Sequence, residues 1–198
     1  MGLAKKLVTG FLFLATLSVL SACDTPPAEN RFPALTFEHL PAMNFNVAEI
    51  RVEDLYSPPG SHPNVEQMMP VPPARAAATW AERRLMASGT SKTLVYRIRD
   101  GSVVETPLDT NESMTDLLTT EQSERYHARL VLEMEIQDAN GFSEASLKVT
   151  GERSVTVPED STLNDREATW FTLTDKLMND LNDQLERTIR EVMSGYLI

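Results

Sequence analysis

The sequence contains few residues whose type and spacing could support chemistry, and its single cysteine is the most informative of them. Cys23 follows the tripeptide Leu20-Ser21-Ala22 and comes directly after an apolar stretch, residues 7–20. Because the sequence has no second cysteine, no disulfide can form within it. A free thiol would be a liability in an oxidising compartment. We therefore expect Cys23 to be modified.

The residues before Cys23 have the three regions of a secretory signal peptide. Lys5 and Lys6 form a positive start, the apolar stretch follows, and small residues precede the cysteine. The apolar stretch is shorter than the roughly 20 residues that a helix needs to cross a bilayer. The tetrapeptide that ends at Cys23 resembles the lipobox of bacterial lipoproteins, in which the cysteine receives a diacylglycerol and becomes the first residue of the mature chain. The alternative is an ordinary signal peptide followed by an incidental thiol.

The resemblance to lipoproteins implies a location in the cell envelope. The protein would be anchored by its lipid and would face the periplasm, since several acyl chains give durable anchoring where a single chain does not. Asp24 follows the cysteine, and in enterobacteria an Asp at this position resembles the signal that keeps a lipoprotein in the inner membrane. Not every bacterial group obeys that rule. Asp24 therefore favours the inner membrane and leaves the outer membrane open.

The chain is strongly acidic. It has 29 Asp and Glu against 18 Lys and Arg, which gives a net charge of −11. Removal of residues 1–22 would make it more acidic still, because that segment contains Lys5 and Lys6 and no acid. Binding to nucleic acid depends on clustered Lys and Arg, and so does attraction to anionic headgroups. We expect no nucleic-acid partner, and we expect association through local patches.

The histidines and carboxylates do not form a recognisable catalytic or metal site. His39, His62 and His127 lie far apart, and none of them has a His-x-x-x-His or His-Glu-x-x-His spacing. The sequence also lacks a Gly-x-Ser-x-Gly motif and a glycine-rich phosphate loop. Carboxylate pairs such as Glu133 and Glu135 are expected on the solvated face of so acidic a chain. We predict a protein that is not an enzyme and binds no metal or cofactor; a dispersed triad and a glycosidase are distant alternatives.

One group of basic residues could bind a partner. Arg97 and Arg99 belong to the outer face of one predicted strand, and Arg125, His127 and Arg129 belong to that of the strand expected beside it. Together they could form a basic patch for an acidic partner or a lipid headgroup. The alternative, which we favour, is that the patch is neutralised by glutamates on facing strands, namely Glu133, Glu135 and Glu152.

Alternation of apolar and polar residues predicts the strands. The first runs from Phe45 to Leu55, and the second from Thr93 to Thr106 with a bulge or bend at Asp100-Gly101. The clearest pattern predicts an antiparallel hairpin over Arg125 to Val157 with Asn140-Gly141 in its turn.

Helical spacing predicts two helices. The first runs from Ala74 to Ser88, between a proline-rich loop and Gly89. Residues 107–122 are predicted to form a loop with at most one helical turn. The second is long and amphipathic, from about Asn164 to Ser194, with Asn164 and Glu167 as a capping box. We expect its apolar stripe to cover the sheet, the alternative being a lipid-binding or partner-binding groove between helices and sheet. The stripe consists of Trp170, Leu173, Leu177, Leu181, Leu185, Ile189 and Val192.

The order strand, helix, strand, strand, strand, helix predicts an α+β protein. A two-layer sandwich satisfies it, with about four mainly antiparallel strands, two helices on one face and a long C-terminal helix. Three segments follow from the patterns: residues 1–22 as a lipoprotein signal peptide, 23–44 as a lipidated N-terminus and proline-containing tether, and 45–198 as a single domain.

From Ser123 onward the architecture resembles the auxiliary lipoproteins of ABC-type lipid transport systems and, more distantly, the LPS-assembly lipoprotein. The resemblance implies a membrane-anchored, non-enzymatic accessory or assembly component of a transport or envelope complex. Its partner would be an envelope protein, such as a subunit of an ABC-type complex. The alternative is a periplasmic lipoprotein that binds a lipid or a small ligand. The residues that carry the resemblance are Glu124-Arg125-Tyr126, the hairpin at Asn140-Gly141 and the helix around Trp170 to Ile189.

Overall fold

The computed structural model describes residues 32–108 and 122–198. The predicted signal peptide, with Cys23 and Asp24, lies outside these ranges, as does most of the predicted loop at 107–122. The elements of the described residues are, in chain order, β1 (Met43–Phe45), β2 (Glu49–Asp54), α1 (Pro73–Arg84), β3 (Leu85–Ala87), β4 (Thr93–Asp100), β5 (Val103–Pro107), β6 (Gln122–Gln137), β7 (Ser143–Pro158) and α2 (Leu163–Val192), with short 3-10 helices at Glu66–Met68 and Ser194–Tyr196.

The main sheet has β6 at its centre. β7 pairs with the whole of β6 on one side, while β4 and β5 follow one another along the other side, all antiparallel. β2 lies outside β4 and is parallel to it, as the intervening helix α1 allows, because parallel neighbours need a crossover connection. A small second sheet pairs β1 with β3. The predicted α+β class, mainly antiparallel pairing and long C-terminal helix are confirmed.

The bulge or bend predicted at Asp100-Gly101 is also confirmed. The register on β6 shifts between Ile98 and Asp100, where β4 gives way to β5. A Cβ on Gly101 would lie 2.7 Å from the Cβ of Ala74, at the start of α1. Gly101 therefore lets the first turn of the helix rest on the bend.

The first predicted strand is two strands, so its prediction as one continuous element is wrong. The backbone changes partner after β1: the amide of Gly89 donates to Val47 O at 2.9 Å, and the amide of Ala48 donates to Ser91 O at 2.9 Å. A Cβ on Gly89 would lie 2.5 Å from the side chain of Asn46. This close approach requires glycine and fixes the break in the strand.

The first helix ends earlier than predicted. α1 stops at Arg84 and not at Ser88, because Leu85–Ala87 pairs in parallel with Met43–Phe45. Hydrogen bonds to a distant segment thus override the helical pattern in the last predicted turn. The predicted inner face of the helix is correct, since its members are buried: Ala77, Trp80, Ala81 and Leu85.

The predicted hairpin is confirmed. Even-numbered residues of β6 from Tyr126 to Ile136 are buried against the helices, and the facing row of β7 includes the buried Leu147, Val149 and Val157. In the turn, the carboxylate of Asp138 accepts hydrogen bonds from two backbone amides downstream. The backbone at the predicted turn glycine is left-handed (φ 85°), a conformation that glycine adopts without strain.

The helix α2 begins with a different cap from the one predicted. Thr162 and Asp165 form the capping box, in which the Thr162 hydroxyl accepts from the Asp165 amide at 3.3 Å. Threonine is the usual residue at this position, so the prediction of Asn164 with Glu167 is wrong by two residues. The apolar stripe packs on the sheet as expected, except that Val192 at the end of the helix is exposed.

Part of the segment predicted as a tether packs against the domain. Phe37 and Met43 are buried, and Met43 opens β1. The ring of Phe32 stacks on Phe171 of α2 at 5.4 Å between centroids. Apolar side chains among the prolines of this segment therefore bring it onto the core before residue 45.

Candidate functional site

The predicted basic patch lies on the outer face of the sheet, which we define as the face that α1 and α2 leave uncovered. Arg97 and Arg99 stand on β4, and Arg125, His127 and Arg129 stand on its antiparallel neighbour β6. The predicted placement on adjacent strands is therefore correct. The net charge of the patch depends on the side chains that face these residues on neighbouring strands.

The two arginines of β4 are paired with carboxylates. Arg97 donates from Nε to Glu53 at 2.9 Å and from Nη1 to Glu135 at 2.6 Å. Arg99 donates from Nε to Glu133 at 2.6 Å. The Arg97 guanidinium lowers the pKa of Glu135, and the Arg99 guanidinium lowers that of Glu133. The acids thus stay ionised and neutralise this half of the patch.

The β6 half of the patch is only partly neutralised. Arg129 pairs with Glu152 at 3.1 Å and with Asp100 at 3.5 Å. His127 shares a hydrogen bond of 2.9 Å with the Ser154 hydroxyl.

Arg125 differs from the other members of the patch. It is exposed between Thr106 and Thr156, and its guanidinium has no hydrogen-bond or ion-pair partner among the described residues. The geometry agrees with the favoured alternative, in which glutamates on facing strands neutralise the patch. Of its five members, Arg125 alone has no acidic or polar partner among the described residues. The assignment of the patch as a partner site stays a prediction.

The central part of the interface between the helices and the sheet is filled by aromatic side chains. The ring of Trp80 on α1 stacks on Tyr96 of β4, and Trp170 of α2 packs edge-on against Tyr126 of β6. All four rings are at most 3% exposed. A lipid or ligand groove between the two layers, the alternative considered for the apolar stripe, would require these rings to move.

A buried polar cluster links α1 to α2. Trp80 Nε1 and Arg84 Nη1 both donate to Asn182 Oδ1 at 3.0 Å, and Arg84 Nη2 donates to Glu186 at 2.6 Å. The side chain of Arg84 is 1% exposed, whereas that of Glu186 is 28% exposed. The cluster is a structural clamp, and Arg84 was identifiable from sequence because it follows Trp80 by four residues on the inner face of the helix.

A second buried charge lies in the proline-rich loop. Glu66 is 1% exposed, and its carboxylate accepts from the Tyr56 hydroxyl at 2.6 Å and from the Val103 amide at 3.1 Å. Burial and the contact with Glu66 raise the pKa of Tyr56. Since both carboxylate oxygens have protein donors, Glu66 ties the loop to β5. No pattern in the sequence distinguishes this glutamate from the exposed ones.

The rest of the described chain offers little for chemistry. Over residues 32–108 and 122–198, no group of three or more His, Cys, Asp or Glu side chains is placed to hold a metal ion. Among the same residues, no helix is both long and apolar enough to cross a membrane.

The most distinctive surface of the domain is the edge of β7 that points away from β6, which we call the open edge. β7 is 16 residues long and pairs with β6 on one side. On its other side, no strand among the described residues pairs with it, and the backbone hydrogen bond recorded there is at its end, where the Ser161 amide donates to Pro158 O at 3.2 Å. In an antiparallel pair, about half of the N–H and C=O groups of a strand point away from the partner. The open edge therefore presents a long row of free backbone donors and acceptors.

No protein-family model matches the sequence, and no curated protein is significantly similar to it. Among solved structures, a minor lipoprotein from Acinetobacter baumannii is 18% identical; 73% of this chain and 92% of that chain are covered, with a TM-score of 0.39. A Helicobacter pylori protein named as a neuraminyllactose-binding hemagglutinin homologue is 11% identical, with 82% and 91% covered and a TM-score of 0.36. Likenesses this weak identify neither a family nor a function.

Proposed function

We propose that this chain is the precursor of an envelope lipoprotein that is anchored through Cys23 and acts as a non-enzymatic accessory component by docking on an envelope protein. The anchor is inferred from the sequence of residues 1–24 alone. The docking role is supported by one observation above the others, the open edge of β7. Membership of an ABC-type transport complex, and retention at the inner membrane through Asp24, are parts of the same proposal.

The open edge supports docking because it is long and has no strand partner within residues 32–108 and 122–198. A strand of 16 residues spans about 50 Å at 3.3–3.4 Å per residue. Natural proteins usually cover or shorten such edges, because any extended chain can pair with them. An edge kept open along this length suits a protein that receives an extended segment of a partner. The centre of the interface between the helices and the sheet is filled by four buried rings and gives no comparable support to the ligand-binding alternative.

The anchor is tested by lipid labelling. Cells that express the full chain would be fed an alkyne-bearing fatty acid, and the purified protein would be assayed for label and for membrane association. We expect the wild type to be labelled, the Cys23→Ser variant to lose both label and membrane association, and Ser21→Ala to keep both, since it preserves a small residue before the cysteine. A secreted wild-type protein with a free thiol would contradict the proposal.

Docking is tested by recovery of partners from detergent-solubilised membranes. We expect the tagged full-length protein to retain a stoichiometric envelope protein, with a permease or substrate-binding subunit supporting the ABC-type assignment. Separation of inner and outer membranes before solubilisation tests the role of Asp24. Recovery of a bound lipid with no protein partner would overturn the docking role and support the ligand-binding alternative.

A further inference from the structure

The helix α2 leaves the inner side of β7 partly open at Arg153 and Val155, which are both half-buried. The helix packs tightly against β7 at Gly151, where a Cβ would be 2.6 Å from Leu181 Cγ. Towards its N-terminus the helix lies over β6, since Trp170 packs against Tyr126. A groove of about 380 Å³ opens between β7 and α2 at Arg153 and Val155, before the inner row of β7 is buried again at Val157. We call this opening the edge groove.

The edge groove combines an apolar floor with two cations. Val155 of β7 and Leu173 of α2 supply the floor, and Arg153 and Lys176 supply the charges. Arg153 is held by Asp180 at 2.6 Å. Lys176 is exposed and has no ion-pair partner among the described residues. A free cation beside an open strand is notable in a chain with a net charge of −11, because most neighbouring charge in such a protein is acidic.

These features define the chemistry of an occupant. A strand added beside β7 would hydrogen-bond to the free backbone groups of the open edge, and every second side chain would point into the edge groove. The side chain opposite Val155 would meet apolar carbon. The side chain two residues away, opposite Arg153, would lie near both cations and would be favoured as a carboxylate.

We propose that the edge groove and the adjoining part of the open edge bind an extended segment of a partner protein that carries an apolar residue and an acidic residue two positions apart. This inference rests on the proposed docking function and specifies its partner. The acidic residue pairs with Lys176 and Arg153, and the apolar residue packs on Val155. The partner backbone extends the main sheet by one strand.

The experiment places a photocrosslinker in the edge groove of the full-length, membrane-anchored protein. Thr172 lines the groove and is exposed on α2, so Thr172→p-benzoylphenylalanine would report what lies there. After irradiation, the crosslinked peptide of the partner is sequenced by mass spectrometry. We expect one segment with the apolar and acidic residues two positions apart.

Lys176→Glu provides the decisive variant. It should lower the yield of the crosslink by about tenfold or more, because it places like charges together. Arg187→Glu is the matched control, since it makes the same change of charge on an exposed residue of α2 about 16 Å further along the helix; the yield should stay within twofold of wild type. Replacing the acidic residue of the partner with lysine should restore the crosslink to Lys176→Glu.

Each other outcome has a defined meaning. Crosslinks to a second copy of this chain, or to lipid alone, overturn the inference. So does an equal loss of crosslink in Lys176→Glu and Arg187→Glu, or a partner segment without an acidic residue. If the pull-down recovers a partner whose binding is unchanged in Lys176→Glu, docking stands and this site is wrong. If no partner is recovered at all, the proposed function itself fails.

Discussion

Gly151 allows α2 to pack tightly against the sheet, so replacing it with alanine should strain the packing between them. A Cβ at this position would lie 2.6 Å from Cγ of Leu181 and 2.9 Å from both of its methyl carbons. Leu181 is fully buried, with 0% of its surface exposed, so its side chain has no solvent to move into. Overpacking of a well-filled core costs about 1–3 kcal/mol.

The expected size of the effect follows from two opposing terms. Alanine regains about 0.5–1 kcal/mol over glycine in a strand, because glycine loses more conformational freedom on folding. Gly151→Ala should therefore lower the free energy of unfolding by about 1–2 kcal/mol, and the Tm by about 2–8 °C in calorimetry. Gly195→Ala is the matched control, because a Cβ there meets nothing within 4 Å; its effect should stay within about 0.5 kcal/mol.

A double-mutant cycle identifies the cause. Leu181→Ala alone should cost about 2–5 kcal/mol, because it leaves a cavity. In that background Gly151→Ala should cost nothing or be stabilising, since the atoms that it would meet are gone. A neutral single variant, or costs that simply add, would refute the account of Gly151 as a site of tight packing between α2 and β7.

Three further predictions follow from the charged residues. Glu186→Ala should lower the free energy of unfolding by about 3–5 kcal/mol, because it leaves the Arg84 cation buried without its carboxylate. Arg84→Met should cost less, because Glu186 can then be hydrated. Urea unfolding measures both variants, and a larger cost for Arg84→Met would contradict this account. The lowered pKa values of Glu133 and Glu135 mean that their ionisation stabilises the fold fully above the ordinary value of 4.5 and progressively less as the pH falls below it. Glu135→Gln should therefore flatten the dependence of unfolding free energy on pH between about pH 5 and 3, and an unchanged slope would show that the pair contributes nothing. Arg153→Val should make the protein self-associate in analytical ultracentrifugation, because it removes a charge that two copies paired along their open edges would set face to face or bury. Asp180→Ala, which keeps the cation, should sediment as wild type does. A monomeric Arg153→Val would show that this charge does not oppose self-pairing.

The hairpin and the long helix were predictable because their signals are local and repeated. Strict alternation from Tyr126 to Ile136 determines which face of the strand is buried, and Asn140-Gly141 favours a hairpin turn. The stripe from Trp170 to Ile189 likewise allows one buried face on α2. In each case many residues agree on the same answer, so neighbouring segments cannot overrule it.

The sequence-based predictions fail where contacts with distant segments of the chain determine the local structure. Leu85–Ala87 leaves the helical pattern to pair with Met43–Phe45, and no feature within either segment announces that pairing. Glu66 is buried only because Tyr56 and the backbone of β5 converge on it. The open edge was equally hidden from the sequence. Whether β7 is central or peripheral depends on which strands pair elsewhere, and its alternating pattern is compatible with both positions.

Arg153 can select a partner because of where it lies on the open edge. Antiparallel pairing of two copies centred on Arg153 would set the two cations directly opposite each other, which is destabilising. Pairing centred on Val155 would set the Arg153–Asp180 pair of each copy against Val157 of the other copy, and would desolvate that pair. Pairing centred on Thr150 would bring both α2 helices together where each lies nearest its own strand. Adjacent strands are about 4.8 Å apart, whereas packed helices need about 8–10 Å. A segment with a carboxylate opposite Arg153 meets none of these penalties, so the same charge that opposes self-pairing favours an acidic partner.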